Sequence, residues 1–117
     1  MSHISVIIPV FNEESNILTS IKSALMCDQN IEVIVSDSGS IDGTVKLVTS
    51  TYKDFPNVLI ARGGTSRSSC QNIGVSVASG DIVLFLHADT VLPLNYADEV
   101  RKCLTGNYDT ILSFHTF

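Results

Sequence analysis

Long hydrophobic runs are missing from this 117-residue chain, although 44% of its residues are hydrophobic and its mean hydropathy is +0.30. The longest uninterrupted one, Ile82–Leu86, is the size of a strand, as is the shorter Val6–Ile8. A membrane-spanning helix needs about 18 or more apolar residues in a row, so no transmembrane segment is expected. Met1-Ser2-His3 lacks the basic stretch and cleavage motif of a signal peptide, and the expected location is cytoplasmic. Positive charge is scarce as well. Seven Lys and Arg face twelve Asp and Glu, a net charge of −5 and a pI near 4.9. That balance argues against a nucleic-acid partner, whose phosphate backbone is bound by a basic face. The three cysteines, Cys27, Cys70 and Cys103, are odd in number and widely spaced. They exclude a disulfide framework and a zinc knuckle, and read as buried free thiols in a reducing compartment. There is no low-complexity tract, charge block, linker or internal repeat, and the length fits one domain. A Walker A loop is absent, and so is Gly-x-Gly-x-x-Gly after the first strand, where the chain reads Pro9-Val10-Phe11-Asn12-Glu13. A phosphate-bearing ligand is therefore expected to be held by metal and side chains rather than by a glycine cradle.

What is present is a strict alternation of strand and helix patterns. Ile4–Pro9 is a short apolar run ended by proline. Asn12 is placed to cap a helix carrying Ile17, Ile21, Ala24 and Leu25 at helical spacing, with Glu13 and Glu14 in its first turn. Ile31–Ser36 is rich in β-branched residues, as a strand covered on both faces should be. A Gly/Ser/Asp loop, Asp37 to Gly43, leads to a helix with Val45, Leu47, Val48 and Tyr52. Asn57–Ala61 is a third strand, followed by Arg62-Gly63-Gly64-Thr65 and a helix with Cys70, Ile73, Val77 and Ala78 on one side. Gly80 stands where a helix C′ glycine belongs. Asp81–Leu86 is the most hydrophobic strand and runs into His87-Ala88-Asp89, and Asn95–Leu104 and Thr110–Phe117 read as a last helix and strand. The pattern implies an α/β fold: a doubly wound, mostly parallel sheet with helices on both faces and right-handed crossovers. Ligands of such sheets bind outside the carboxyl ends of the strands, where strand order reverses. Four polar loops fall on that rim.

Two readings fit Asp89. A carboxylate at the mouth of a dry sheet needs solvent, a partner or a metal, and one carboxylate plus substrate phosphates is a common Mg²⁺ or Mn²⁺ site. Equally, Asp89 could cap the turn ahead of Pro93. His87 fits a metal ligand or a satisfied histidine at a strand end. Asp37 ends its strand on the rim, where an acid can accept hydrogen bonds from a ribose or base. Asp42 fits a role in starting the following helix. Arg62 and Arg67 fit pairing with a phosphate or an acid, or simple solvated loop charges.

Three blocks go further together: Ser5-Val6-Ile7-Ile8-Pro9-Val10-Phe11-Asn12-Glu13-Glu14, then Glu32 to Thr44, then Asn72-Ile73-Gly74 through Gly80-Asp81 to His87-Ala88-Asp89-Thr90. In order and spacing they resemble a family 2 glycosyltransferase of the GT-A fold, in the subgroup whose metal motif reads Leu-His-Ala-Asp-Thr. The resemblance covers residues 4 to about 93. It implies transfer of a sugar from a nucleotide diphosphate donor with Mg²⁺ or Mn²⁺ on the diphosphate. By position it implies that Pro9, Phe11 and Glu13 line the nucleotide pocket. Asp37 would meet the base, Arg67 the base or phosphate, and Asp89, with His87 beside it, the metal. Two departures stand out. Asp37-Ser38-Gly39-Ser40 replaces the usual Asp-Asp-Gly-Ser, and His87 replaces the first acid of Asp-x-Asp. The family also continues into an acceptor-binding half with the carboxylate base of inverting members, so this chain is expected to be the donor-binding half, weak or inactive alone. The rival expectation is an inactive remnant that binds nucleotide or serves oligomerisation. A sugar-1-phosphate nucleotidyltransferase would need a Gly-rich basic loop after the first strand, which is missing. The hydrophobic terminal strand, Ile111, Leu112, Phe114 and Phe117, predicts a homodimer contact over roughly residues 94–117.

Overall fold

The computed structural model describes residues 2–27 and 29–103, and the backbone of 111–114. The elements alternate as the pattern implies: β1 (Ile4–Val10), α1 (Ile17–Leu25), β2 (Ile31–Asp37), α2 (Thr44–Thr51), β3 (Val58–Arg62), α3 (Arg67–Val77), β4 (Ile82–Leu86), α4 (Tyr96–Cys103) and β5 (Ile111–Phe114). The sheet order is β3-β2-β1-β4-β5, with every pairing parallel. β1 is flanked on both sides, matching Ile4 to Ile31 of β2 and to Ile82 of β4. Strand order reverses at β1, so the rim between β1 and β4 is the switch point of the doubly wound sheet.

Alternate residues of each strand feed two separate cores. Ile4, Val6, Ile8, Val33, Val35, Leu84 and Leu86 pack under α1, α2 and α4, with Ile17, Ile21, Val48, Tyr96 and Val100. Burying each such aliphatic side chain stabilises the fold by roughly 1.5–3 kcal/mol, which makes this face the main core. Ile7, Ile34 and Ala61 face the other way, with Leu59, Ile73, Val83 and Phe85 partly buried against them. That face is covered by α3. Helices therefore lie on both sides of the sheet. No helix among the described residues is long and apolar enough to cross a membrane.

Three local expectations change. α1 begins at Ile17, so Asn12 does not cap it and Glu13 and Glu14 lie outside its first turn. Gly80 is not a C′ glycine, since α3 ends at Val77 with Ala78 as its cap. A Cβ at Gly80 would stand 2.6 Å from Ser5 Oγ and 2.8 Å from Ser5 N, so glycine there serves close approach to β1. The cysteines are free, but only Cys70 is buried; Cys27 is half-buried and Cys103 exposed. The contact expected between two copies rests on Ile111, Leu112, Phe114 and Phe117, whose side chains lie outside the described residues.

At the lower end of the sheet Glu32 ties β1 and β2 to the chain entering β4. It accepts from Ser5 Oγ at 2.6 Å, Ser79 N at 3.0 Å and Ser79 Oγ at 2.9 Å. Burial pushes its carboxyl up, but these bonds outweigh it and hold the group below the ordinary glutamate value. α3 is seated on β1 through Gly74, where an added Cβ would stand 2.5 Å from Ile7 Cγ2. Alanine in place of glycine favours a helix by about 1 kcal/mol. Ile7 is fully buried and stiff at its branched carbon, so it has no room to give way. Overpacking of this kind costs about 1–3 kcal/mol. Gly74→Ala is therefore expected to lower the urea unfolding midpoint. An unchanged or raised midpoint would show that α3 can lift away from β1.

Candidate functional site

The rim between β1 and β4 opens into a cleft of about 300 Å³ lined by Pro9, Val10, Phe11, Glu13, Ser38, Arg67, Cys70, His87, Ala88 and Asp89. Six of the seven residues that the resemblance assigns to the site meet there. Asp37, the seventh, lines a neighbouring cleft of about 310 Å³ with Arg62, Gly63 and Gly64, and Ser38 borders both.

Each side chain reaches the rim by a different local route. Pro9 and Val10 end β1, and the chain then turns outward, leaving Phe11 55% exposed. Asp37 ends β2 and is buried; its Oδ2 accepts from Gly39 N at 2.9 Å and Ser40 N at 3.1 Å. Its carboxylate thus shapes the turn that separates the two clefts. Arg67 opens α3, behind a Ser66 cap that accepts from Ser69 N at 3.2 Å while Ser69 Oγ accepts from Ser66 N at 2.9 Å. A cation at a helix N-terminus is disfavoured by the dipole, so packing logic alone gives Arg67 no reason to be there. Cys70 sits one turn further along α3, and its carbonyl accepts from the buried Ser36 hydroxyl at 2.8 Å.

The segment after β4 is held by α1. Ser20 Oγ donates to the Ala88 carbonyl, Leu92 N donates to Ser23 Oγ at 3.0 Å, and Tyr96 OH donates to the Ala24 carbonyl at 2.7 Å. Asp89 is exposed between these anchors. Among the described residues its carboxylate has no hydrogen bond or ion pair, and neither has the Arg67 side chain. The capping alternative for Asp89 is therefore not realised. One cleft presents an unengaged carboxylate and an unengaged guanidinium, a pairing suited to a ligand that carries phosphate together with a cation.

Among the described residues no three His, Cys, Asp or Glu side chains gather to hold a metal by themselves. Asp89 and the adjacent His87 offer a one- or two-ligand set, which fits a hard divalent ion completed by phosphate oxygens and water.

Residues not singled out from the sequence complete the rim. Ser38, Val10, Cys70 and Ala88 line the cleft, and Ser20 and Ser23 support it from inside α1. The one available signal was two serines placed among the apolar helical positions of α1. Asp42 does start α2, from one residue before the cap: its Oδ1 accepts from Thr44 N at 3.0 Å and from the Thr44 hydroxyl, while Oδ2 accepts from Glu14 N at 3.3 Å.

The family model of Glycosyl transferase family 2 matches residues 5–111. Over 89 residues the chain is 37% identical to the uncharacterized glycosyltransferase YfnE of Bacillus subtilis (strain 168), covering 73% of this chain and 22% of YfnE. Among solved structures, the mannosyltransferase PcManGT from Pyrobaculum calidifontis, in complex with GDP-Man and Mn²⁺, aligns with a TM-score of 0.80 at 26% identity. That alignment covers 90% of this chain and 33% of PcManGT. Glucosyl-3-phosphoglycerate synthase from Mycobacterium tuberculosis, in complex with Mn²⁺, UDP and glucosyl-3-phosphoglycerate, aligns with a TM-score of 0.69 at 27% identity, over 90% of this chain and 40% of that one. The chain spans less than half the length of each of these relatives.

The Asp42 carboxyl is pushed up by burial, but the Thr44 and Glu14 hydrogen bonds win and hold it below the ordinary aspartate value. Its contribution to stability is therefore complete above the unfolded-state value and is lost as pH falls through the lowered one. An NMR titration is expected to place the Asp42 midpoint below that of an unfolded aspartate, with the Thr44 amide moving in step. A midpoint at or above the unfolded value would show that these bonds do not form in solution.

Proposed function

Because the chain belongs to glycosyl transferase family 2, we propose that it binds a nucleoside diphosphate sugar in the cleft between β1 and β4, with Mg²⁺ or Mn²⁺ on the diphosphate. The observation that carries this reading is the unengaged pair, Arg67 and Asp89, facing one cleft at the switch point. A guanidinium matches phosphate oxygens by its fork of donors. Asp89, with His87 beside it, holds the divalent ion, which when bound neutralises charge on the departing diphosphate. Pro9 and Phe11 supply an apolar border for the base, and Glu13 a polar one. Asp37 acts from beneath, keeping the Ser38–Ser40 turn against the base end of the cleft. The GDP-Man and UDP complexes of the two structural neighbours, both with Mn²⁺, support a nucleotide donor and a divalent ion. The Leu86-His87-Ala88-Asp89-Thr90 sequence supports membership of the histidine-bearing subgroup.

In the reaction this serves, an acceptor hydroxyl attacks the anomeric carbon of the sugar, the bond to the diphosphate breaks, and the hydroxyl proton passes to a base. Among the described residues the carboxylates lining the cleft are Glu13 and Asp89, both given to donor binding here. The base is then supplied from outside the described residues.

Calorimetry with UDP and with GDP tests the assignment. Binding is expected to need Mn²⁺ or Mg²⁺, to vanish in Asp89→Ala and to weaken about tenfold or more in Arg67→Ala. Equal binding with and without metal would remove Asp89 from its role. Incubated alone with nucleotide sugars, the 117-residue chain is expected to turn over far more slowly than the roughly 1 per second of ordinary enzymes. Turnover at that rate would show that the chain carries its own base.

A further inference from the structure

Two loops make the upper border of the cleft, one after β1 and one after β2. We propose that Asn12, which lines neither cleft, is a positioning residue for nucleotide binding: its side chain locks the two loops together and so fixes its chain neighbours Phe11 and Glu13 against the ligand. This rests on the nucleotide-binding reading of the cleft.

Asn12 is the one described non-glycine residue with a positive φ, at 54°. That left-handed region disfavours most side chains and is tolerated best by asparagine, aspartate and glycine. The conformation turns the side chain across to the other loop. There Oδ1 accepts from Ile41 N at 2.9 Å and from Asp42 N at 3.4 Å, while Asn12 N donates to Ser40 Oγ at 2.8 Å. Three consecutive residues of the β2–α2 loop are thus gripped by one residue of the β1–α1 loop.

The start of the stretch is held separately, since Ser38 N at 3.1 Å and Ser38 Oγ at 3.2 Å both donate to the Val10 carbonyl, but the tip relies on Asn12. Ile41 is 89% exposed, so the loop has no buried side chain at its tip. The neighbouring cross-links, Glu13 N to Thr44 Oγ1 at 2.9 Å and Gly43 N to Glu14 Oε2 at 2.9 Å, fasten the far side of the loops near α2. Asn12 fastens the middle of the loops, between Phe11 and Glu13, which both line the cleft. The hydrogen bonds of Asn12 contribute little net stability. Their contribution is small beside the core but comparable with the free energy of placing a few side chains for a ligand.

The test uses two substitutions that the left-handed backbone accepts. Asn12→Gly keeps the conformation and deletes the acceptor, whereas Asn12→Asp keeps an acceptor oxygen at the same reach. Both are expected to keep a cooperative urea transition, with the Asn12→Gly midpoint lowered only slightly. Binding of UDP or GDP with Mn²⁺ is expected to weaken about tenfold in Asn12→Gly and to recover to within about threefold of wild type in Asn12→Asp. The recovery is incomplete because the new charge lies near Asp42 and Glu14. Amide exchange at Ile41 and Asp42 is expected to quicken in Asn12→Gly alone, with the core strands unchanged. Wild-type affinity in Asn12→Gly, equal weakening in both variants, or loss of cooperative unfolding in Asn12→Gly would each overturn the proposal. A wild-type chain that binds neither nucleotide overturns the reading of the cleft itself, and this inference with it.

Discussion

Parallel pairing of β1 with a neighbour on each side dictates where every functional group stands. A strand so placed exposes no edge, and its two faces must both be apolar. Ile4, Val6 and Ile8 supply one face and Ile7 the other, all fully buried. The chain leaves β1 through α1 toward β2 on one side, and leaves β4 through α4 toward β5 on the other. The connections after these two neighbouring strands diverge, and the cleft opens between them. Polar residues collect at its border because the strand interiors cannot accommodate them.

The border is built by two different means. On the α3 side, covalent geometry and close packing act: glycine at 74 lets the helix descend onto β1, and Arg67 is carried to the rim at the helix's first position. On the loop side, hydrogen bonds replace packing, with Asn12, Glu14, Asp42 and Thr44 linking two segments that bury almost nothing. A rigid wall of α3 thus opposes a wall of bonded loops. The unengaged charges sit one on the helix and one on the segment after β4, so a phosphate group would join elements that the apolar core holds only indirectly.

The strands were legible because strands buried on both faces leave near-continuous apolar runs, and their order of alternation with helices narrows the topology to a doubly wound sheet. Legible too were six rim residues, since strand ends locate the rim without any knowledge of contacts. What escaped depends on partners distant in the chain. Asn12 looks like a helix cap locally, yet its acceptors and donors lie 28 to 30 positions away. Gly80 looks like a helix terminator, yet the atom that forbids a side chain there belongs to Ser5, 75 positions back. Asp37 stands at the strand end expected of it, and its bonds to Gly39 N and Ser40 N are an added contact of short range. The exposed Cys103 departs from the buried-thiol reading because a single cysteine carries no periodic signal.

The register of β1 against β4 also bears on how the chain folds. Near the start of both pairings, Ser5 meets Glu32 over a separation of 27 positions, while His3 meets Asp81 over 78. Closing the larger loop costs only about 1 kcal/mol more entropy than closing the smaller. Searching for it is slow, though, because most of the chain must be ordered first. The cleft does not exist until that long closure is made. A ligand bridging the ends of β1 and β4 therefore recognises the finished sheet alone, and its full binding free energy is added to the stability of the folded chain.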